Sequence, residues 1–189
     1  IFFQPLSIIN IVYYHKGFQT LSKIKEASAE INFSSIPYDP VKRAIAIFIG
    51  EIVYRTIREE ESNPVMYSYL ENSIQLLDVM RNGVSNFHLI FLAQLARHLG
   101  FFPGNSWSEK TPFFDYKNGL FINQEPIHPL FFDKEKSKLI GKVISTPFHE
   151  AESLQFNHRT RAQLLNSFLT FYQVHIESVS EIKSLPILS

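Results

Sequence analysis

One dipeptide, Asp39-Pro40, divides this chain into two kinds of hydrophobic pattern. Ahead of it the period is two. Ile9, Ile11 and Tyr13 alternate with Asn10, Val12 and Tyr14 in a run rich in β-branched and aromatic residues, which predicts a strand. His15, Lys16 and Gly17 suit a turn. Leu21 to Ile31 then returns as a second strand, with Leu21, Lys23 and Lys25 alternating against Ser22, Ile24 and Glu26. Two strands alone are marginal in water, so this pair is expected to join a larger sheet or to pack on the helices behind it.

Behind Asp39-Pro40 the period becomes helical. Asp39 suits an N-cap and Pro40 a first helical position. Val41, Ala44, Ile45, Phe48, Ile52 and Thr56 follow at helical spacing, and the helix is expected to end near Glu61. Asn63-Pro64 repeats the signal for a second helix through Tyr67, Leu70, Ile74 and Leu77, stopping near Asn82-Gly83. A third runs from about Val84 to Leu99 and is apolar on most sides, as a helix central to a bundle must be, with Gly100 as its C-cap. Residues 101–157 differ. Five prolines break the stretch, and Phe113 to Ile122 reads as a small hairpin closed by Asn118-Gly119. The last long helix starts near Arg159, with Leu164, Leu165, Phe168, Phe171, Tyr172 and His175 along one side. The fold class is therefore α+β, a β module followed by a mainly α-helical domain. With 45% hydrophobic and 19% charged residues among 189, the chain has the composition of a packed core.

A search for chemistry returns mainly exclusions. The chain has no cysteine, which removes disulfides, thiolate metal ligands and a cysteine nucleophile together. None of the seven glycines builds a phosphate-cradling GxGxxG or GxxxxGK[ST] loop, and no GxSxG elbow is present. His149-Glu150 opens like HExxH, but Ser153 stands where the second histidine belongs. The histidines at 15, 88, 98, 128, 149, 158 and 175 are scattered, so no metal site is expected, and Glu59-Glu60-Glu61 reads as a solvated helix end. The nearest approach to a membrane span, Phe87 to Phe102, is interrupted by Arg97.

Lysine plus arginine equals aspartate plus glutamate at 18 each. A zero net charge lacks the strongly basic footprint of a stand-alone nucleic-acid binder and leaves only local patches. One candidate patch is Lys16, Lys23 and Lys25, the last two on one strand face by period two. The other is Lys134, Lys136, Lys138 and Lys142 with Arg159 and Arg161, interleaved with Asp133, Glu135, Glu150 and Glu152. Solvated surface is the alternative reading of both.

The order of these segments resembles the bacterial RecO family. Phe2-Phe3-Gln4-Pro5-Leu6 and the strand behind it resemble a late barrel strand of that family's OB-fold. The helix pair after Asp39-Pro40, with Glu51-Ile52-Val53-Tyr54, resembles the start of its helical domain. Phe91 to Pro103 resembles a signature helix ending in Leu-Gly-aromatic-x-Pro, here Leu99-Gly100-Phe101-Phe102-Pro103. Leu164-Leu165, Phe171-Tyr172, His175-Ile176 and Ile182 to Leu188 match the family's tail. The resemblance spans essentially the whole chain. It implies the C-terminal part of an OB-fold over 1–36, with about three of five strands preceding Ile1. A helical domain over 37–189 would follow, carrying a degenerate zinc-finger-like lobe at about 104–145. Many members hold zinc there through four cysteines. This chain has none, and apolar packing around Phe113, Phe114 and the Asn118-Gly119 hairpin is expected instead.

The resemblance also implies a role. Such proteins are non-enzymatic, cytoplasmic mediators of recombination and repair, and no cofactor is expected for this cysteine-free chain. They bind single- and double-stranded DNA, anneal complementary strands, and work with RecR to load RecA. They also grip the acidic, hydrophobic-ended tail of single-strand-binding protein. The implied DNA-binding residues are Lys16, Lys23, Lys25, Lys134, Lys136 and Lys138; Leu99 matches an apolar position of the tail site, with Arg97 the nearest cation. Two residues apart on a helix, Arg97 and Leu99 diverge. Two other readings compete: a helical protein-interaction or adaptor domain without DNA binding, and a hydrolase built on His128, His149 and Glu150.

Overall fold

Asp39 turns the chain from ribbon to helix through its own carboxylate. In a computed structural model describing residues 4–14, 23–57, 62–179 and 181–188, Asp39 accepts from the N–H groups of Val41 (2.8 Å) and Lys42 (3.1 Å). Helix α1 (Pro40–Thr56) follows, burying Ile45, Phe48, Ile49 and Ile52. It ends at Thr56, short of the expected Glu61. The Thr56 hydroxyl donates back to Ile52 O (2.8 Å), and Ile57 takes extended backbone. The Glu59-Glu60-Glu61 run lies outside the described residues. Asn63 caps α2 (Pro64–Val79) in the same way, accepting from Met66 N–H at 3.0 Å.

Ahead of Asp39, β1 (Ile9–Tyr14) and β2 (Lys23–Ala29) pair antiparallel, and the proposed turn between them, Lys16 included, lies outside the described residues. The register slips between Val12 and Tyr13, so that Val12 faces Glu26 and Tyr13 faces Ile24. Lys25 is the extra residue of this bulge. The strict alternation that placed Lys23 and Lys25 on one face does not run across it. Ile11, Val12, Tyr13, Tyr14 and Ile24 are all exposed, by 42% or more, so the helices do not cover the ribbon. Its base is tied down instead: Ile8 is buried, and Pro5 and Leu6 lie against Gly50 of α1.

Helix α3 (Phe87–His98) is the hub. Phe87, Leu89, Ile90, Phe91, Leu92 and Leu95 are fully buried, because α1, α2, α4 and α5 pack around it. A short 3₁₀ turn, Val84–Asn86, leads into it from Gly83, whose φ of 70° and close approach to the Ala151–Glu152 backbone both demand glycine. At the other end Gly100 (φ 85°) closes a Schellman motif, with Phe101 N–H on Ala96 O (3.1 Å) and Gly100 N–H on Arg97 O (3.3 Å).

Residues 113–132 form a three-stranded antiparallel sheet in the order β4 (Leu120–Ile122), β3 (Phe113–Asp115), β5 (Phe131–Phe132). The Asn118-Gly119 turn closes the hairpin, and Asp115 stabilises it by accepting from the N–H groups of Lys117 (3.0 Å) and Asn118 (3.1 Å). Phe114, Phe121 and Phe132 are buried, so aromatic packing holds this lobe. Sequence patterning missed the next element, α4 (Lys134–Ser145), which Asp133 caps by accepting from Lys136 N–H at 2.8 Å.

Helix α5 (His158–His175), capped by Asn157, lays Leu164, Leu165, Phe168, Phe171 and Tyr172 into the core. The Tyr172 hydroxyl donates to Leu92 O at 2.6 Å, bolting α5 to α3. The C-terminal segment then returns to α1. Glu51 accepts from Lys183 N–H (2.9 Å) and from both the N–H and the hydroxyl of Ser184 (2.7 Å each), while Arg55 pairs with Glu51 at 2.9 Å. Burial opposes ionisation of Glu51. The hydrogen bonds from Ser184, Lys183 and Arg55 outweigh it and bring the pKa to about 2.

Candidate functional site

Helix α4 presents its two faces to different neighbours. Ser137, Ile140, Gly141 and Val143 face inward, while Lys134, Lys138 and Lys142 recur every fourth residue on the exposed side. Each lysine lies over an aromatic ring: Lys134 over Phe113 (5.4 Å to the centroid), Lys138 over Trp107 (5.4 Å) and Lys142 over Phe156 (5.9 Å). Trp107 rides directly on the helix backbone, and a Cβ on Gly141 would collide with it.

Facing α4 is the chain that leaves α3. Arg97 extends from the last turn with its guanidinium 4.1 Å over the Phe102 ring. Arg97, Phe102 and Trp107 on one side and Lys138, Lys142 and Ile144 on the other enclose a groove of about 700 Å³. Three cations and two aromatic rings line it, and no aspartate or glutamate does. A smaller recess continues past Arg97 to His98 and Pro147. There His98 stacks on Tyr69 at 4.3 Å, and burial together with the Arg97 charge lowers its pKa, favouring the neutral ring. This geometry suits an extended anionic ligand with an apolar group: aromatic walls desolvate the latter, and Arg97, Lys138 and Lys142 meet the charges.

The residues singled out from sequence therefore separate. Arg97 and Lys138 come together, joined by Lys142, which sequence reasoning had grouped with Lys138 but not with Arg97, and by Phe102 and Trp107, which it had not assigned to a site. Lys134 sits further along the same face. Lys136 is on another side, over Phe132 at 5.3 Å, in a recess shared with Asp133 and Glu135. Those two acidic groups thus lie away from the Arg97 groove. Lys23 and Lys25 are exposed on β2, and Lys16 lies outside the described residues. Leu99 caps α3, half-buried against the core, and does not line the groove.

The hydrolase candidates are engaged otherwise. His128 Nε2 lies 3.3 Å from Asp115, whose carboxylate already organises the β3–β4 turn. His149 and Glu150, 3.5 Å apart, are 79% and 59% exposed. Among the described residues, no three His, Asp or Glu side chains converge as a metal site, and no helix is long and apolar enough to cross a membrane.

Comparison with known proteins bears on the whole chain. The family model for the C-terminal part of recombination protein O matches residues 37–186. The DNA repair protein RecO of Azobacteroides pseudotrichonymphae is 34% identical over 187 residues, 99% of this chain and 78% of that relative. That of Phocaeicola vulgatus is 34% identical over 188 residues (100% and 78%), and that of Flavobacterium psychrophilum 35% over 188 (99% and 77%). No solved structure matches significantly. A family model covering most of the chain and relatives above 30% identity along its whole length leave one assignment: the chain belongs to the RecO family of DNA repair and recombination proteins.

Proposed function

We propose that this chain acts as a recombination mediator that chiefly binds and brings together other macromolecules and catalyses no covalent step. It binds single- and double-stranded DNA, anneals complementary strands, grips the tail of single-strand-binding protein, and helps RecR load RecA. One observation carries the tail-binding part of this reading: the groove in which Arg97, Lys138 and Lys142 meet Phe102 and Trp107 with no acidic side chain among them. A tail ending in acidic residues and a terminal phenylalanine has the complementary chemistry. Leu99, half-buried against the core, does not line this groove, and its assignment to the tail site rests on the family resemblance. Of the six lysines expected to contact DNA, Lys138 lies in this groove, and Lys16, Lys23, Lys25, Lys134 and Lys136 are assigned to DNA backbone contacts. Exposure of His149 and Glu150 supports the non-enzymatic reading, since an acid–base pair works best desolvated.

The test uses Trp107, the chain's single tryptophan, as its reporter. An acidic, phenylalanine-ended peptide titrated into the protein should change Trp107 emission, with an affinity in the micromolar range, about −8 kcal/mol. Arg97→Ala should weaken binding by about 1.5–3 kcal/mol, the worth of a charged hydrogen bond. Undiminished affinity in an Arg97→Ala/Lys138→Ala/Lys142→Ala variant places the tail elsewhere.

The second reading, an adaptor that never touches DNA, is favoured by the zero net charge. Salt titration separates the two, because phosphate contacts make affinity fall steeply with ionic strength. Replacing Lys16, Lys23 and Lys25 by glutamine should flatten that slope. A flat slope in the unmodified chain favours the adaptor.

A further inference from the structure

A second groove, of about 620 Å³, opens where the first turns of α1 and α5 meet the 3₁₀ turn ahead of α3 and the C-terminal segment. Its walls are mostly apolar, with Val41 and Ile45 from α1, Leu165 from α5 and Leu188 from the C-terminal end. Its polar lining is Ser85, His88, His158, Arg161 and Asn166, and no aspartate or glutamate among the described residues lines the groove. Arg161 is half-buried. It donates through Nη1 to Phe156 O, and among the described residues no carboxylate is in ion-pair contact with it. His88 beside it is 6% exposed, packs edge-on to Phe48 (centroids 6.2 Å apart), and has no hydrogen-bond partner at Nδ1. Burial and the neighbouring Arg161 charge bring its pKa down to about 3, so the ring is neutral at physiological pH.

A half-buried guanidinium without a carboxylate partner keeps part of its charge out of water, and an anion that reaches it beside an apolar wall gains a charge-assisted contact. The N-terminal turn of α5, capped by the neutral Asn157, adds positive potential at the rim. Asp39, which caps α1, directs its carboxylate to the N–H groups of Val41 and Lys42 and does not line the groove. A nucleic-acid strand would need several cations, whereas a single cation in an apolar cleft of this volume suits one small ligand. We infer that this groove is a binding site for a small apolar carboxylate, with its carboxylate on Arg161 and its hydrocarbon body against Val41, Ile45, Leu165 and Leu188. It shares no lining residue with the groove at Arg97, and the assignment is independent of the tail-binding reading.

The experiment is methyl NMR on the full chain, comparing octanoate with octanol as probes of matched tail length. Octanoate should shift the methyls of Ile45 and Leu165 saturably and bind about tenfold or more tighter than octanol, the ratio expected of a charge-assisted contact. Arg161→Gln should bring the two probes to within about threefold of each other. Because Arg161 also holds Phe156 O, Ala162→Glu serves as a second variant. It places a negative charge at the exposed rim, keeps the interior intact, and should abolish octanoate binding alone. Trp107 emission should not move with octanoate. The inference is overturned by absent or non-saturable shifts, by equal affinity for the two probes, or by indifference of octanoate to both variants. It also fails if the acidic, phenylalanine-ended peptide rather than octanoate shifts these methyls, which would reassign the groove to a protein partner.

Discussion

Replacing Asp78 by asparagine should cost this protein about 2–4 kcal/mol of stability. Asp78 is the next-to-last residue of α2, and its carboxylate is the anchor for the segment that joins the ribbon to α1. Oδ1 accepts from the N–H groups of Ser35 (2.8 Å) and Ile36 (2.7 Å), and Oδ2 from the N–H (2.8 Å) and hydroxyl (3.0 Å) of Ser34. The side-chain amine of Lys42 donates to the Asp78 carbonyl at 2.6 Å. Asparagine keeps the shape but turns one acceptor into a donor. The Ser34 hydroxyl can rotate to accept from it, whereas a backbone N–H cannot, so one N–H loses its partner and two others lose charge assistance. For a chain of this size the expected fall in Tm is roughly 5–15 °C. Acidity supplies a second readout. Burial alone would raise the Asp78 pKa, but the N–H groups of Ile36, Ser34 and Ser35 and the Ser34 hydroxyl hold it below the usual carboxylate value. A lowered folded pKa means that the unfolded chain takes up the proton first. The stabilisation is complete above about pH 5 and is lost as pH falls through the folded pKa, so the asparagine variant should show a flatter stability profile below pH 5. Urea and thermal unfolding of both proteins at pH 7 and along that acid limb decide the matter. A variant within about 0.5 kcal/mol of the unmodified chain at pH 7 refutes the reasoning.

Glu51→Gln should free the Lys183–Ser184 turn from α1, read as faster amide exchange at Ser184 and a loss of about 1–3 kcal/mol at pH 7. Because the Glu51 pKa is brought to about 2, the difference between the two proteins should shrink as pH falls from about 4.5 toward that value. Gly141→Ala drives a methyl into Trp107 and should shift tryptophan emission while destabilising by about 1–3 kcal/mol; unchanged emission argues against direct packing of the ring on α4. Leu99→Asp should lower stability together with peptide binding, since Leu99 is half-buried against the core. A Leu99→Asp protein of unchanged Tm that has lost the peptide would instead place Leu99 in the site.

What could be read from sequence and what could not divide along a physical line. Signals carried by adjacent residues were legible: Asp39-Pro40 and Asn63-Pro64 start helices by giving the first N–H groups an acceptor, Gly100 ends α3, and Asn118-Gly119 closes a hairpin. Helix α4 was missed because hydrophobic periodicity fails on its inner face. Two of the four buried positions are Ser137 and Gly141, the first occupied with hydrogen bonds to Phe114 N–H (2.8 Å) and Phe132 O (2.9 Å), the second kept small for Trp107. The remaining cue was the four-residue spacing of its lysines, which a patch count of basic residues does not distinguish from loop charge. The same limit governs the candidate site. Divergence of Arg97 and Leu99 followed from helix geometry alone, and the structure has Arg97 exposed over Phe102 and Leu99 turned toward the core. That Lys138 and Lys142 face Arg97 while Asp133 and Glu135 turn to another recess depends on how α4 docks against α3, information held in contacts between distant segments. A chain with zero net charge can therefore carry a wholly cationic groove, because the helix sorts alternating charges onto different faces. Net charge constrains what the whole chain attracts, and the rotation of one helix decides what a partner meets on arrival.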